Sequence, residues 1–377
     1  MPWQECSVET LRREFVMLAR QEDANIRELC RRFGISPDTA YRLLARSQQE
    51  GAAGLRDRSR RPLGSPTQTL PVIAAAVCAV RVDHPAWGGR KIRRYLLDRG
   101  QQDVPAASTI TGILRRHDLL DPAAAVQHRA VQRFEADAPN ALWQMDFKGK
   151  FALLHGICHP LTVLDDHSRY ALGVEACADE RTATVQSCLI ALFRRYGLPL
   201  RMLMDNGPPW GDGGSRYTAL TVWLLRLGIT VSHGRPYHPQ TQGKDERFHR
   251  TLKAEVLADA WFADLVAAQW AFDRWRPTYN QERPHEALDL ATPSSRYQIS
   301  PRAYPEALSP IEYGSGDQVR KVQHDGEVSF RGRTIPISKA FRGYPVALRP
   351  TMTEGRWAVY FCTQRIAQID LNDPLRG

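Results

Sequence analysis

The sequence predicts a multidomain α and α/β protein. It would hold two helix-turn-helix modules in tandem, a mixed-sheet core and a small C-terminal β-barrel. Three observations predict this. Up to about residue 118, apolar residues recur at helical spacing and the runs stop at Gly. From about 137, short apolar or alternating segments come first, and helices and strands then alternate, which indicates an α/β core. After 317, brief β-like runs are separated by Gly turns.

The totals agree with several domains and a charged partner. At 377 residues the chain exceeds one typical domain. Its net charge is +10, and residues 1–135 carry 22 Lys and Arg against 15 Asp and Glu. That surplus favours a polyanion, although a plain solvated surface has the same composition. The seven Cys are scattered without a C-x-x-C pair, which argues against a disulfide framework or a zinc finger. His155, Cys158 and His159 read as a turn between two strands, because no second ligand pair follows at zinc spacing. With no apolar run of about 18 residues and no signal-peptide core, the protein is expected to be soluble and cytoplasmic, associated with the nucleoid and not with a membrane.

Residues 1–54 form the first module. ETLRREFVMLAR and NIRELCRRF share a helical period that stops at Gly34. Ser36 is a candidate N-cap and Pro37 fits the first helical position of the next helix, which ends near Gly51. That helix would present Thr39, Arg42 and Arg46, at steps of three and four, to a major groove. A packing module without a DNA role has the same outline. Residues 55–70 are a basic linker in which Arg58, Arg60 and Arg61 could follow phosphates or serve only as a solvated tether. Residues 71–125 repeat the helical outline. PVIAAAVCAVRV is followed by a turn at Trp87, a basic helix beginning with Arg90 and Lys91, and a last helix with Ser108 as candidate N-cap.

The core, 137–300, opens with NALWQMDFKGKF, HPLTVLDDHS and RYALGVEAC, three expected antiparallel strands. RTATVQSCLIALFRRYG is an amphipathic helix. LPLRMLMDNG is a buried strand with Asp205 at its exit, followed by another helix and the short strand ITVSHG. A long helix from Gln240 to about Leu257 and a further one in WFADLVAAQWAFDRWRPTYN complete it. Residues 317–372 are the expected barrel.

Asp146 and Asp205 interrupt or end apolar strands, and Glu246 starts a helix. Carboxylates so placed can converge as oxygen ligands for hard divalent cations suited to phosphodiester chemistry. Of the neighbouring acids, Asp245 lies about 100° from Glu246 around the helix. Glu255 is expected to face solvent, and Asp165 and Asp166 to cap a strand end.

W-x-M-D-F, D-N-G and H-P-Q-T-Q-G-x-x-E-R-F-H-R-T-L-K strongly resemble the catalytic core of the DDE insertion-sequence transposases, which is similar to that of retroviral integrases. Tyr279, Asn280, Arg283, Pro284, His285, Ala287 and Leu288 resemble the same family's downstream segment. The likeness covers about 137–300. It implies an RNase H-like core in which Asp146, Asp205 and Glu246 are the acidic triad. It further implies two Mg2+ ions, with Mn2+ able to substitute, and 3′-end cleavage followed by strand transfer. DNA ends and target would be the partners, and self-association into a dimer or larger complex would bring two ends together. Arg250 and Lys253, one and two turns beyond Glu246, would contact backbone near the cut; a solvated charged stripe is the alternative. His249 could touch phosphate or be an ordinary surface His. Asn206 and Gly207 would shape the loop after Asp205, Gly207 with φ above zero. The 40 residues between Asp205 and Glu246 are more than is usual in integrase-like cores, and the zinc-binding N-terminal module of retroviral integrases is missing. A nuclease of this fold without strand transfer, or a DNA-binding regulator derived from a transposase, remains an alternative.

Overall fold

The computed structural model describes residues 7–59, 68–120, 135–205, 207–211, 217–234, 243–258 and 260–372. Arg60, Arg61 and Asn206 lie outside the described residues, as do 240–242 at the expected start of the long helix. The chain divides into two compact units, 1–68 and 69–377.

The first unit holds α1 (Val8–Ala19), α2 (Ile26–Phe33) and α3 (Pro37–Glu50). Ser7, Asn25 and Ser36 each accept a backbone N–H of the first turn that follows, satisfying donors that a helix start leaves open. Gly34 ends α2 at φ 63°, a conformation that suits Gly. Phe15, Val16, Cys30, Ala40, Leu43 and Leu55 form the core of the unit. A 3-10 turn over Gly51–Leu55 replaces the start of the expected extended linker. It packs against α3 so tightly that a Cβ on Gly54 would stand 2.4 Å from the Arg46 carbonyl.

The second unit opens with α4 (Pro71–Asp83), α5 (Gly89–Asp98) and α6 (Ala107–Arg116) around Val77, Trp87, Ile92, Ile110, Ile113 and Leu114. Helix α6 begins at Ala107, so Ser108 lies inside it and is not its N-cap. The Thr111 hydroxyl bonds the Ala107 carbonyl at 2.8 Å, and Gly89 packs on that same carbonyl.

The core sheet contains β1 (Trp143–Phe147), β2 (Phe151–Leu153), β3 (Gly156–Asp165), β4 (Ala171–Cys177), β5 (Arg201–Met204) and β6 (Thr230–His233). The order is β2-β3-β1-β5-β6, with β4 also on β3. β1, β3 and β4 pair antiparallel, as the three opening segments predict, while β1-β5 and β5-β6 pair parallel. Alternation sorts the side chains. Trp143, Met145, Leu161, Val163, Met202 and Met204 join a core with α7 (Thr182–Tyr196) and α8 (Ala219–Arg226) on one face. Cys158, Leu164 and Val174 pack on the other face with α9 (Gly243–Leu252) and α10 (Leu265–Pro277).

Helix α9 widens into a π turn over Lys253–Leu257, which carries the helical stretch to the expected end. Helix α10 starts at Leu265 because the Asp264 carboxylate caps Ala267 N–H, and it too passes into a π turn, Thr278–Glu282. Asp165 accepts Ser168 N–H and Asn140 N–H, and Asp166 accepts Ala136 N–H at 2.7 Å, so these two carboxylates close the turn after β3 as expected.

The C-terminal part has β7 (Gln318–Lys321), β8 (Glu327–Phe330), β9 (Arg333–Pro336), β10 (Pro345–Pro350), β11 (Arg356–Phe361) and β12 (Gln364–Asp370). Among the described residues these form a four-stranded antiparallel sheet, β12-β11-β10-β7, and a separate hairpin, β8-β9. The expected closed barrel is not reached because β8 and β9 pair only with each other. Both pieces share one core with Val222 and Leu225 of α8, so this region is docked on the α/β core. Among the described residues no helix is long and apolar enough to cross a membrane.

Candidate active site

Asp146 lies near the end of β1, opposite Thr162 of β3. Because Trp143 and Met145 point into the α7 face, alternation turns Asp146 to the α9 face. Parallel register pairs Trp143 with Met202 and Gln144 with Leu203. Continued by two residues, it sets Asp205 beside Asp146, just past the end of β5. The parity of Leu203 puts Asp205 on the same face, away from the Met202–Met204 core. Burial raises the Asp146 carboxyl to about 6; the Phe147 N–H opposes it, and the nearby charges of Asp205 and then Glu180 add smaller raises. The exposed Asp205 is held through its backbone, its carbonyl accepting from His233 Nδ1 at 3.0 Å. Gly207 does not adopt positive φ. It precedes Pro208, and a residue before Pro is driven to extended backbone.

Helix α9 turns one row into this face. Asp245, Phe248 and Leu252 are buried, while Glu246, one position from Asp245, is exposed. Asp245 is held strongly toward its neutral form by burial and by the charges of Asp146, Asp166 and Glu246, against the opposing pull of Lys244. Its Oδ1 is buried without a hydrogen-bond partner. Thus α9 turns into the sheet the acid that the sequence motif passes over. Among the described residues, no three Asp, Glu, His or Cys side chains are gathered closely enough to hold a metal ion. Asp146 and Asp205 are brought together; Glu246 stands at the outer edge.

His249 is not a surface residue. Burial and the Lys148 charge lower it to about 4, so it is neutral near pH 7. The Thr162 hydroxyl donates to the Asp146 carbonyl at 2.9 Å and is 2.8 Å from His249 Nε2. With its proton committed to the carbonyl, the hydroxyl can only accept from the imidazole, which assigns the Nε2–H tautomer. This chain ties the Asp146 strand to the helix that carries Glu246.

The predicted DNA contacts divide. Arg250 and Lys253 are exposed on α9 and its π turn. Lys148, two residues past Asp146, joins them: burial and the like charge of Lys253 lower its pKa. Sequence reasoning missed Lys148, although its parity with Asp146 was the available signal. Arg42 pairs with Asp38 but stays largely exposed. Arg46 reaches back to the Arg56 carbonyl at 2.7 Å, and Arg58 pairs with Glu50, so both are engaged inside the first unit. Arg90 stays exposed, 3.9 Å from Glu286. Lys91 is half-buried, and its pKa falls to about 8 through burial first and the Arg283 charge second.

Glu255 overturns the expectation of a solvent-facing residue. Its side chain is 6% exposed and pairs with Arg283 at 2.9 Å. It continues the buried row Asp245–Phe248–Leu252 at steps of three and four, the row opposite the exposed Glu246.

Comparison with known proteins agrees with this architecture. Residues 136–239 and 227–293 match the integrase core domain, and 317–374 match the C-terminal domain of IS481 family transposases. Residues 11–62 match a helix-turn-helix domain and 39–114 a homeodomain-like domain. A 31.7 kDa uncharacterized protein of insertion element IS407 from Burkholderia multivorans is 30% identical over 158 residues, 42% of this chain and 55% of that protein. A 39.2 kDa uncharacterized protein of insertion element IS476 from Xanthomonas euvesicatoria is 28% identical, over 48% of this chain and 59% of that one. The chain therefore spans little more than half the length of these relatives. The catalytic core domain of BIV integrase aligns with 42% of this chain and 93% of its own at 26% identity, with a TM-score of 0.32.

Proposed function

We propose that this chain, which matches the integrase core domain and the C-terminal domain of IS481 family transposases, is a DNA transposase. It binds the terminal inverted repeats of its element, cleaves their 3′ ends and joins them to target DNA. The observation that carries the reading is the pairing of Asp146 with Asp205 at the ends of neighbouring parallel strands, close enough for one charge to raise the other's proton affinity. Such a pair fits a hard divalent cation: both donors are oxygens, and a cation relieves the repulsion that now favours protonation. The unpartnered Asp245 Oδ1 alongside adds to that negative field once its proton is lost.

Asp146, Asp205 and Glu246 would hold two Mg2+ ions, with Mn2+ able to replace them. When bound, the ions would supply Lewis acidity for deprotonating a water or a 3′-hydroxyl and for stabilising the leaving oxygen. The protein's own part is placement. The Thr162–His249 chain ties α9, the helix of Glu246, to β1. Lys148, Arg250 and Lys253 form a cationic margin for the phosphates next to the cut. Arg42 in the first unit contributes phosphate or groove contact during end recognition. Two ends must be joined in one event, so the active form is a dimer or larger assembly in the cytoplasm.

The test supplies purified protein and Mg2+ with duplexes that carry the element's ends, intact or pre-cut to a free 3′-OH, and with plasmid target. Nicked intact ends and branched or integrated product from pre-cut ends are expected. Nicking without joined product makes the protein a nuclease. Binding without either product makes it a regulator.

A further inference from the structure

We propose that the segment Tyr279–Leu288 is the socket by which the second helical module is locked to the catalytic helix. In this role it sets which phosphate the site reaches. The sequence singles the segment out as a motif, and the acidic site leaves it without a role.

Glu255, on the π turn that prolongs α9, is the centre of the joint. Its Oε1 accepts from Arg283 Nε at 2.9 Å and from the Trp87 indole N–H at 3.2 Å, and its Oε2 accepts from the Trp275 indole N–H at 2.8 Å. Trp87 belongs to the helical module. It is fully buried, stacked on His84 at 3.8 Å, and part of the module's own core. Its ring therefore cannot turn away without disturbing that core. Two further pairs flank the joint from the same segment: Arg99 to Glu282 at 3.3 Å and Arg90 to Glu286 at 3.9 Å. Three points along the turn and helix from Trp87 to Arg99 thus meet three points along Glu282–Glu286 and α9. On the other side, Tyr279 packs edge-on against Phe248 with ring centres 4.9 Å apart, and Arg283 Nη2 reaches Thr251 at 3.4 Å. Phe248 and Thr251 lie two and five residues beyond Glu246.

The flanking pairs are exposed and contribute little to stability, but they fix the angle of approach. The central carboxylate is different. Charge buried with complete hydrogen bonding holds one geometry, because any displacement leaves it unpaired. Trp87, Glu255 and Arg283 are therefore positioning residues, which act through the placement of α9 and do not touch the reacting atoms. A module that reads DNA and a helix that carries Glu246 become one ruler.

This inference rests on the transposase reading, so the experiment has two arms on the full-length chain. Trp87→Phe keeps the buried ring and leaves Glu255 two donors; Glu255→Gln keeps size and removes charge. The first arm needs neither DNA nor metal. Amide hydrogen exchange in Trp87→Phe should rise at both 89–98 and 243–257. Unchanged protection at 243–257 in a folded variant overturns the lock. The second arm maps cuts on end-labelled duplex. Both variants should bind the duplex within about twofold of the unaltered protein. Each should lose the correct product by about 10- to 100-fold, with new cuts at neighbouring phosphates. A purely structural role lowers the melting temperature but leaves the cut at one position at an unchanged rate, which overturns the ruler. If the unaltered protein cuts nothing, the transposase reading fails, while the exchange arm still decides the joint.

Discussion

Replacing Asp146 with Asn separates what the fold needs from what the chemistry needs. The carboxyl rises from 3.8 to about 6 in the folded chain, chiefly through burial and then through Asp205. Between those two values the folded state binds more protons than the unfolded one, so stability falls as pH rises through the window. Below 3.8 the carboxyl is neutral in both states and imposes no penalty. Above 6 it is ionised in both, and the full penalty applies. Two units at about 1.4 kcal/mol each give roughly 3 kcal/mol, an upper bound because Asp146 keeps some solvent. Asn has nearly the same shape and no charge. Asp146→Asn is therefore expected to raise the melting temperature of the metal-free protein by roughly 5 °C at pH 7.5, to leave it unchanged near pH 4, and to abolish cleavage. Added Mg2+ should stabilise the unaltered protein and not the variant. Scanning calorimetry at the two pH values, with and without Mg2+, measures all of this. A variant less stable than the parent at pH 7.5, or a difference that persists at pH 4, would refute the placement of Asp146 in a buried, negatively charged setting.

Three further expectations follow from particular contacts. His249 should show the Nε2–H tautomer in nitrogen NMR near pH 7 and remain neutral down to about pH 5; a midpoint near 6.5 would mean that it faces solvent. Arg283→Met leaves Glu255 without its charged partner and should cost about 3–5 kcal/mol in urea unfolding of the 69–377 unit, whereas a loss under 1 kcal/mol would show that the pair is solvated. Gly89→Ala puts a methyl 2.4 Å from the Ala107 carbonyl where α5 meets α6. It should destabilise the second module by about 1–3 kcal/mol, read as faster hydrogen exchange over 71–116, and unchanged exchange would contradict the close crossing.

Much of the fold was legible because it is written in local chemistry. Ser36-Pro37 and Gly34 mark where helices start and stop through groups that any helix end must satisfy. The short apolar runs LTVLD and LWQM mark strands buried on both faces, between the α7–α8 core and the α9–α10 core. What depended on long-range pairing was less legible. That Asp146 and Asp205 meet follows from a parallel ladder between residues 59 positions apart, which no local pattern specifies; the family resemblance suggests it. Glu255, nine residues beyond Glu246, lies on roughly the opposite side of an ideal helix and so reads as solvent-facing when Glu246 is placed inward. Phe248 and Leu252 show that the inward row is the other, and Glu255 extends it. Asp245, about 100° from Glu246, yields to it in the sequence because the motif favours Glu246, yet it is the one buried. An acid on an apolar stripe reads as solvated until the cluster it joins is seen. Lys91 looks like a free cation in sequence, and only packing shows it partly buried, with the like charge of Arg283 against it and those of Glu255 and Glu286 in its favour.

The account stands most directly on a comparison of single-turnover DNA cleavage by the unaltered chain with Asp146→Asn, Asp205→Asn and Glu246→Gln, in Mg2+ and under conditions where every variant still binds the end duplex. Loss of nicking and joining in all three, with affinity retained, is the predicted result. Full activity in any one of them, or loss in Asp245→Asn combined with full activity in Glu246→Gln, would contradict the assignment of the acidic site.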